Sequence, residues 1–388
     1  VERRGDPLRR FAEADSSRRG GRPARRRRAT GWYASGMDFD YDLLRKLSET
    51  PGIPGREDLV RERIKDALAG LDLDVRVDAM GNLIAESAGL EGAPKVMVSA
   101  HMDEIGFVVR HVGDDGFLRV HNLGGFDRRN LFARQVLVHA RAGEPRIGVL
   151  HPAAKPVHIA SEEEKKKIPE MADFAVDLGL DAETVKREVR IGDMVTLAQP
   201  FQDLGPVVVG KALDDRSGCW VLIETLRRVR EPACRIQAVF SVQEEVGLRG
   251  ATTGAYGLAP DVGIALDTTL AVDTPGTPAH EAVTRLGQGV GIKVSDSSTV
   301  SHGWLVDRMA ELAEREGIPH QFEVLPRGGT DAGAIQRSRD GVPSVTLSTP
   351  SRYVHTVTEM VAKRDAEATI ALLTAFLTDE QAPLAPSR

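Results

Sequence analysis

Five short segments of this 388-residue chain carry the residue types that bind metals and move protons: His101-Met102-Asp103-Glu104, Leu213-Asp214-Asp215-Arg216, Gln243-Glu244-Glu245-Val246-Gly247, Leu266-Asp267-Thr268 and Tyr353-Val354-His355. All five begin at, or within about eight residues of, the end of an apolar run with strand character, and ligand sites of open α/β sheets lie beyond the carboxyl ends of the strands. Carboxylates and imidazoles gathered there would repel one another unless a cation lay among them. Two His with several Asp and Glu and no Cys is a nitrogen and oxygen donor set suited to Zn, Co or Mn, not to a closed structural zinc. If His101, Asp214, Glu245, Asp267 and His355 are the ligands, their three carboxylates offset only part of two divalent charges. One hydroxide would neutralise the rest, so a binuclear centre with ions roughly 3.5–4 Å apart is consistent with the set. A further carboxylate must then move the proton.

Singly, each residue has a plainer reading. His101 could be a packed histidine at a strand end, Glu244-Glu245 surface charge, and Asp214-Asp215-Arg216 the acidic start of the helix expected from Ser217. Their shared placement favours the metal reading. His111, His121, His139, His151, His158, His280, His302 and His320 complete no ligand spacing and are expected to be structural or exposed. Gly287-Gln288-Gly289-Val290-Gly291 lacks the full dinucleotide fingerprint and is expected to be a turn.

The elements that must position these residues are legible as periodicity. Leu43, Leu44 and Leu47, then Leu59, Ile64 and Leu68, predict two helices interrupted by Pro51-Gly52-Ile53-Pro54-Gly55. Short β runs follow at 75–77 and 83–85. Apolar runs at 96–100, 207–210, 236–242, 262–266 and 345–347 predict buried strands, and 217–229, 305–315 and 330–339 predict helices. Strands alternating with helices imply an α/β fold whose mainly parallel sheet is covered by helices. Between 105 and 204, short strand-like pieces at 117–120, 136–139, 146–150 and 194–197 are separated by Gly and Pro turns, which reads as an inserted small β-barrel. The catalytic domain would comprise 37–104 and 205–380. The run Glu162 to Lys167, with opposite charges three residues apart, is expected to be a solvated helix face or loop.

Composition excludes several classes of function. With 41% hydrophobic and 28% charged residues the chain can bury a sizeable core. No stretch approaches the roughly 18 apolar residues of a membrane span, and no secretory signal is recognisable, so a cytoplasmic protein without membrane contact is expected. Cys219 and Cys234 are too few for a disulfide framework. Residues 1–36 carry 11 Arg against 4 acids, whereas the remainder carries 40 bases against 53 acids. The acidic body argues against nucleic-acid binding. The Arg-rich segment, opening with Val and preceding Met37, is expected to be disordered and to be translated upstream sequence.

Six ordered motifs carry a family resemblance: His101-Met102-Asp103-Glu104-Ile105-Gly106, Lys211-Ala212-Leu213-Asp214-Asp215-Arg216, Val242 to Ala251, Asp273-Thr274-Pro275-Gly276, Gly328-Gly329-Thr330-Asp331-Ala332 and Arg352-Tyr353-Val354-His355. From about residue 37 to 376 the chain resembles the tetrahedral aminopeptidases, metallopeptidase family forty-two. The resemblance implies two divalent ions per subunit, with Asp214 bridging them, His101 and Asp267 completing one site, and Glu245 and His355 the other. It implies Glu244 as general base on a metal-bridging water, Asp103 orienting His101, and Asp215 following Asp214 across a cis peptide. It also implies peptide substrates, an insert used for dimerisation and dodecameric assembly. Thr269 departs from the pattern, since a His is expected there. Alternation along a strand would send Glu244 and Glu245 to opposite sides, in keeping with two different tasks.

Two other functions compete with an aminopeptidase. A metal-independent glycosidase of endoglucanase type could use a carboxylate pair such as Glu244 with Asp215, although 5% aromatic residues is little for sugar stacking. A structural metal site would need closed coordination, which leaves Glu244 without a task.

Overall fold

The computed structural model describes residues 38–89, 92–140, 144–381 and 383; segment 1–36, expected to be disordered, lies outside them. Four strands form the centre of an 11-stranded sheet: Arg235–Ser241, Lys95–His101, Val262–Leu270 and Ser344–Arg352, side by side and parallel. Their interiors are apolar on both faces, with Val96, Val98, Ala238, Val239, Ile264, Val345 and Leu347 all buried. Continuous apolar character is what a strand needs when helices cover it above and below.

Toward both edges the pairing turns antiparallel. Leu83–Glu86 and Asp74–Val77 flank one side, while Glu359–Ala362 and Val207–Gly210 extend the other. Val290–Ser295 pairs antiparallel with Ser344–Arg352 and parallel with His320–Val324. The expected parallel arrangement therefore holds at the centre, and the sheet as a whole is mixed. Short returns such as residues 78–82 and 353–358 can only reverse the chain, because a parallel neighbour requires a long crossover.

Helix Leu213–Arg228 crosses one face and is buried at every position from Leu213 to Leu226. It is sandwiched between the sheet and helices Tyr41–Glu49 and Lys363–Thr378. In Tyr41–Glu49 the i, i+1, i+4 spacing of Leu43, Leu44 and Leu47 buries one stripe, and the Asp40 carboxylate accepts the Leu43 N–H to cap it. The other face carries Arg249–Leu258 and Asp331–Gln336, packed through Ala255, Leu258 and Ile335 on Met97 and Val239. Among the described residues no helix is long and apolar enough to cross a membrane.

The inserted block closes into a barrel in the order Gly106–Val112, Leu118–Leu123, Phe174–Asp177, Arg146–Pro152, Arg134–His139, Met194–Leu197. Alternate residues fill it, among them Phe107 and Val109, Leu118 and Val120, Val136 and Val138. Two of its strands were not legible. A register shift between Val109 and His111 breaks the alternation of Gly106–Val112, and three of the four residues of Phe174–Asp177 are buried in succession, so no alternation marks it. Glu162–Lys166 is an exposed helix with a capping box from Ser161, as its charge spacing predicts.

One buried cation joins the layers. Arg216 donates to the carbonyls of Leu47 (2.5 Å), Thr50 (2.8 Å), Gly52 (3.3 Å) and Met102 (2.6 Å). It thus ties the N-terminal helical pair to the loop after His101. Arg216→Met should leave these carbonyls unpaired and lower the unfolding free energy by about 3–5 kcal/mol in urea titration. A loss below about 1 kcal/mol would show that the loop holds without it.

Candidate metal centre

All five expected ligands meet at the carboxyl end of the central strands. His101 ends its strand and Asp267 lies on the next, Asp214 comes from the non-helical start of Leu213–Arg228, and Glu245 and His355 come from the loops beyond two other strands. Their donor atoms form two groups, His101 with Asp214 and Asp267, and Asp214 with Glu245 and His355, all within 4.8 Å of one another in each group. Asp214 belongs to both. Its Oδ1 is 3.2 Å from His101 Nε2, its Oδ2 is 3.5 Å from His355 Nε2, and the same Nε2 is 3.2 Å from Glu245 Oε1. These residues and Glu244 line a cavity of about 520 Å³ whose far wall includes Leu270, Arg327 and Gly328.

Both imidazoles are turned by carbonyls. His101 Nδ1 donates to Asp103 O at 3.0 Å and His355 Nδ1 donates to Gly125 O at 2.9 Å, so each presents Nε2 to the carboxylates. An imidazole fixed in this way is a ready metal ligand. Gly125 lies in the insert, so the barrel block helps to orient a ligand on a loop of the sheet domain.

The electrostatics fit a cationic guest. Burial would lower His355, but the neighbouring Glu245 and Asp214 carboxylates raise it to about 12. Burial and then Asp214 push the Asp267 carboxyl well above its usual range, and burial and further carboxylates do the same to Glu244. Asp214 moves the other way: burial opposes ionisation, yet His101 and His355 hold it below the ordinary range. A divalent ion in each group would relieve the raised acids, and the donors of both groups are imidazole nitrogens and carboxylate oxygens.

The surrounding carboxylates are satisfied by backbone. Asp103 accepts the N–H groups of Glu244 (3.0 Å) and Glu245 (3.1 Å), and its Oδ1 is also 3.5 Å from His101 Nδ1. Asp215 follows Asp214 across a cis peptide and accepts the N–H groups of His101 (3.2 Å) and Gly218 (3.0 Å). Glu244 and Glu245 are not on a strand, which ends at Ser241. The alternation expected for them does not apply; a turn held by Asp103, entered through Gln243 at φ +56°, separates them instead.

Several supporting residues escaped sequence reasoning. Glu57 accepts the N–H groups of Gly55 and Gln243, and burial, then Asp103, raises it to about 7. Asp331, from one of the six motifs, takes the hydroxyls of Ser99 (2.5 Å) and Ser241 (2.6 Å) and so links the strands that lead to His101 and Glu244. At the divergent position, Thr269 Oγ1 donates to Glu323 at 2.5 Å, and the buried Lys293 pairs with the same carboxylate. Contacts of this kind leave no periodic trace, and Glu57 and Glu323 look like ordinary surface acids in the chain.

Comparison with known proteins agrees with this arrangement. The chain is 36% identical over 347 residues to a lysyl aminopeptidase of Pyrococcus furiosus, covering 88% of this chain and 97% of the relative. An aminopeptidase from the archaeon Desulfurococcus kamchatkensis superposes with a TM-score of 0.83 at 36% identity, over 87% of this chain and 94% of that one. The TET1 peptidase of Pyrococcus horikoshii, described as assembling into a tetrahedron or a large octahedral shell, gives 0.78 at 32% identity, over 87% and 99%. The family model of the M42 glutamyl aminopeptidases matches residues 81–372. With sequence, fold and donor arrangement in agreement, the chain belongs to the M42 glutamyl aminopeptidase family.

Proposed function

We propose that the protein removes N-terminal residues from peptides at the cavity between its two ligand groups, with Glu244 as general base. The observation that carries this reading is the position of Glu244. It lines the cavity, belongs to neither ligand group, and among the described residues no hydrogen bond is formed by its carboxylate. Its backbone N–H is anchored on Asp103, which leaves the side chain free to take a proton from the attacking water and return it to the departing amine. His101, Asp214 and Asp267 are the fitting donors for one divalent ion and Asp214, Glu245 and His355 for a second, with zinc or cobalt, and also manganese, matching the donor types. When bound, such ions polarise the scissile carbonyl and make the water acidic enough to give up its proton near neutral pH. The cytoplasm is the proposed compartment, in keeping with the two buried free thiols.

The carboxylate pair named for the glycosidase alternative, Glu244 with Asp215, is not available. Asp215 is fully buried, and both its oxygens accept backbone N–H groups, so it cannot reach a sugar oxygen. Addition of a chelator should abolish hydrolysis of aminoacyl chromogenic substrates, and no activity should appear on cellulose with or without metal. Chelator-resistant cellulose cleavage would reverse the choice.

The two neighbouring glutamates separate the roles. Glu245→Ala should lower metal content together with activity, with partial rescue by excess metal. Glu244→Gln should keep its metal and lower turnover by about 10²- to 10⁴-fold. Equal metal loss in both variants, measured by elemental analysis, would refute the division.

We further propose a homo-oligomer built through the barrel. Ile147 (65% exposed), Val149, Val157, Ile159 (70%) and Ile168 are exposed aliphatic side chains of the insert, the kind that an interface between copies would cover. Light scattering at micromolar concentration should give a dimer or a larger particle, with a dodecamer as the full assembly. Ile147→Asp with Val149→Asp should shift the mass toward the monomer; an unchanged mass would exclude this face.

A further inference from the structure

Glu359 plays no part in the roles assigned so far, yet it touches the backbone of two of the five ligands. It opens the strand Glu359–Ala362 and is in register with Gly210, the last residue of Val207–Gly210. Asp214 follows Gly210 by four residues and His355 precedes Glu359 by four, so this pairing brings both ligand loops to the same carboxylate. Glu359 Oε2 accepts the Asp214 N–H at 3.0 Å and Oε1 accepts the His355 N–H at 2.8 Å. The side chain is 2% exposed, so no bulk water competes for these bonds.

The two recipients differ in how else they are held. Asp214 is followed directly by Asp215, whose carboxylate is fastened to His101 and Gly218. The His355 backbone sits at φ +62°, a left-handed conformation uncommon for any residue but glycine. Its imidazole is held by Gly125 O, but its main chain is held by Glu359.

We infer that Glu359 is a positioning residue that sets the distance between Asp214 and His355, and with it the affinity of the Asp214, Glu245 and His355 group for its ion. The inference rests on the ligand reading given above. It predicts an unequal defect: Asp214, shared by both groups, is also held through Asp215, whereas His355, which belongs to the second group alone, depends on Glu359 for its main chain. A residue with a merely structural role would weaken both groups alike or neither.

The test is calorimetric titration of the metal-free full chain with Zn²⁺, for the wild type and Glu359→Gln. Glutamine keeps the volume but offers one acceptor oxygen and turns an amide N–H toward the second backbone N–H. One ion should bind within about threefold of wild type and the other about 10- to 100-fold more weakly, the usual effect of losing a group that orients a ligand. Equal weakening of both ions, or no change in either, overturns the inference. A measurement on the wild type guards against a variant that does not fold. Amide hydrogen exchange in the metal-free chain should show the N–H groups of Asp214 and His355 protected, and rapid exchange at either would equally refute the role. Failure of the wild type to bind two ions would instead count against the ligand reading, with the exchange result still judging Glu359.

Discussion

Mutual repulsion among buried carboxylates is the constraint around which this molecule is arranged. Asp103, Asp214, Asp215, Asp267 and Glu359 are buried at the carboxyl end of the parallel strands, with Glu244 and Glu245 half-buried beside them, where little water can dissipate their charge. Two devices make this tolerable. Acids that face the cavity gather around shared points where imidazole nitrogens already approach them. Acids behind them accept pairs of backbone N–H groups: Asp103 from Glu244 and Glu245, Asp215 from His101 and Gly218, Glu359 from Asp214 and His355.

This second layer turns electrostatic cost into geometry. A carboxylate that takes two N–H donors from different loops fixes the separation of those loops, and the bonds to an ionised acceptor are stronger than neutral ones. Asp331 continues the pattern one layer deeper through Ser99 and Ser241. Arg216 supplies the complementary sign, drawing carbonyls from the N-terminal segment toward the loop after His101. The site is thus rigid because its charges are satisfied by main chain, which side-chain rotation cannot undo.

The barrel is more than an appendage. Gly125 orients His355, and Gly124 permits the approach: at φ +86°, an added Cβ would lie 2.5 Å from Ile105 Cγ2 and 3.2 Å from Glu245 Oε2. The insert enters the sheet domain directly after the His101 strand, so its first strands emerge beside the ligand cluster. The same block carries the exposed Ile147, Ile159 and Ile168, so the proposed association face and an anchor of His355 belong to one unit.

Periodicity and local chemistry in the chain determined the α/β class, the inserted β block, the buried central strands and the strand ends at which His101, Asp214, Glu245, Asp267 and His355 stand. Those features depend on interactions within a few residues, or on burial on both faces of a sheet, and both leave a pattern in one dimension. The antiparallel flanks, the strands Val290–Ser295 and His320–Val324, and the turn that separates Glu244 from Glu245 were decided only by tertiary structure. So were Glu57, Glu323 and Glu359, acids that nothing nearby in sequence distinguishes from surface charge. Their partners lie far away in the chain or are backbone N–H groups, which every residue except proline carries, so no residue type records the contact. Which acid holds a loop and which one merely meets solvent is settled by strand register, and register exists only once the sheet has formed.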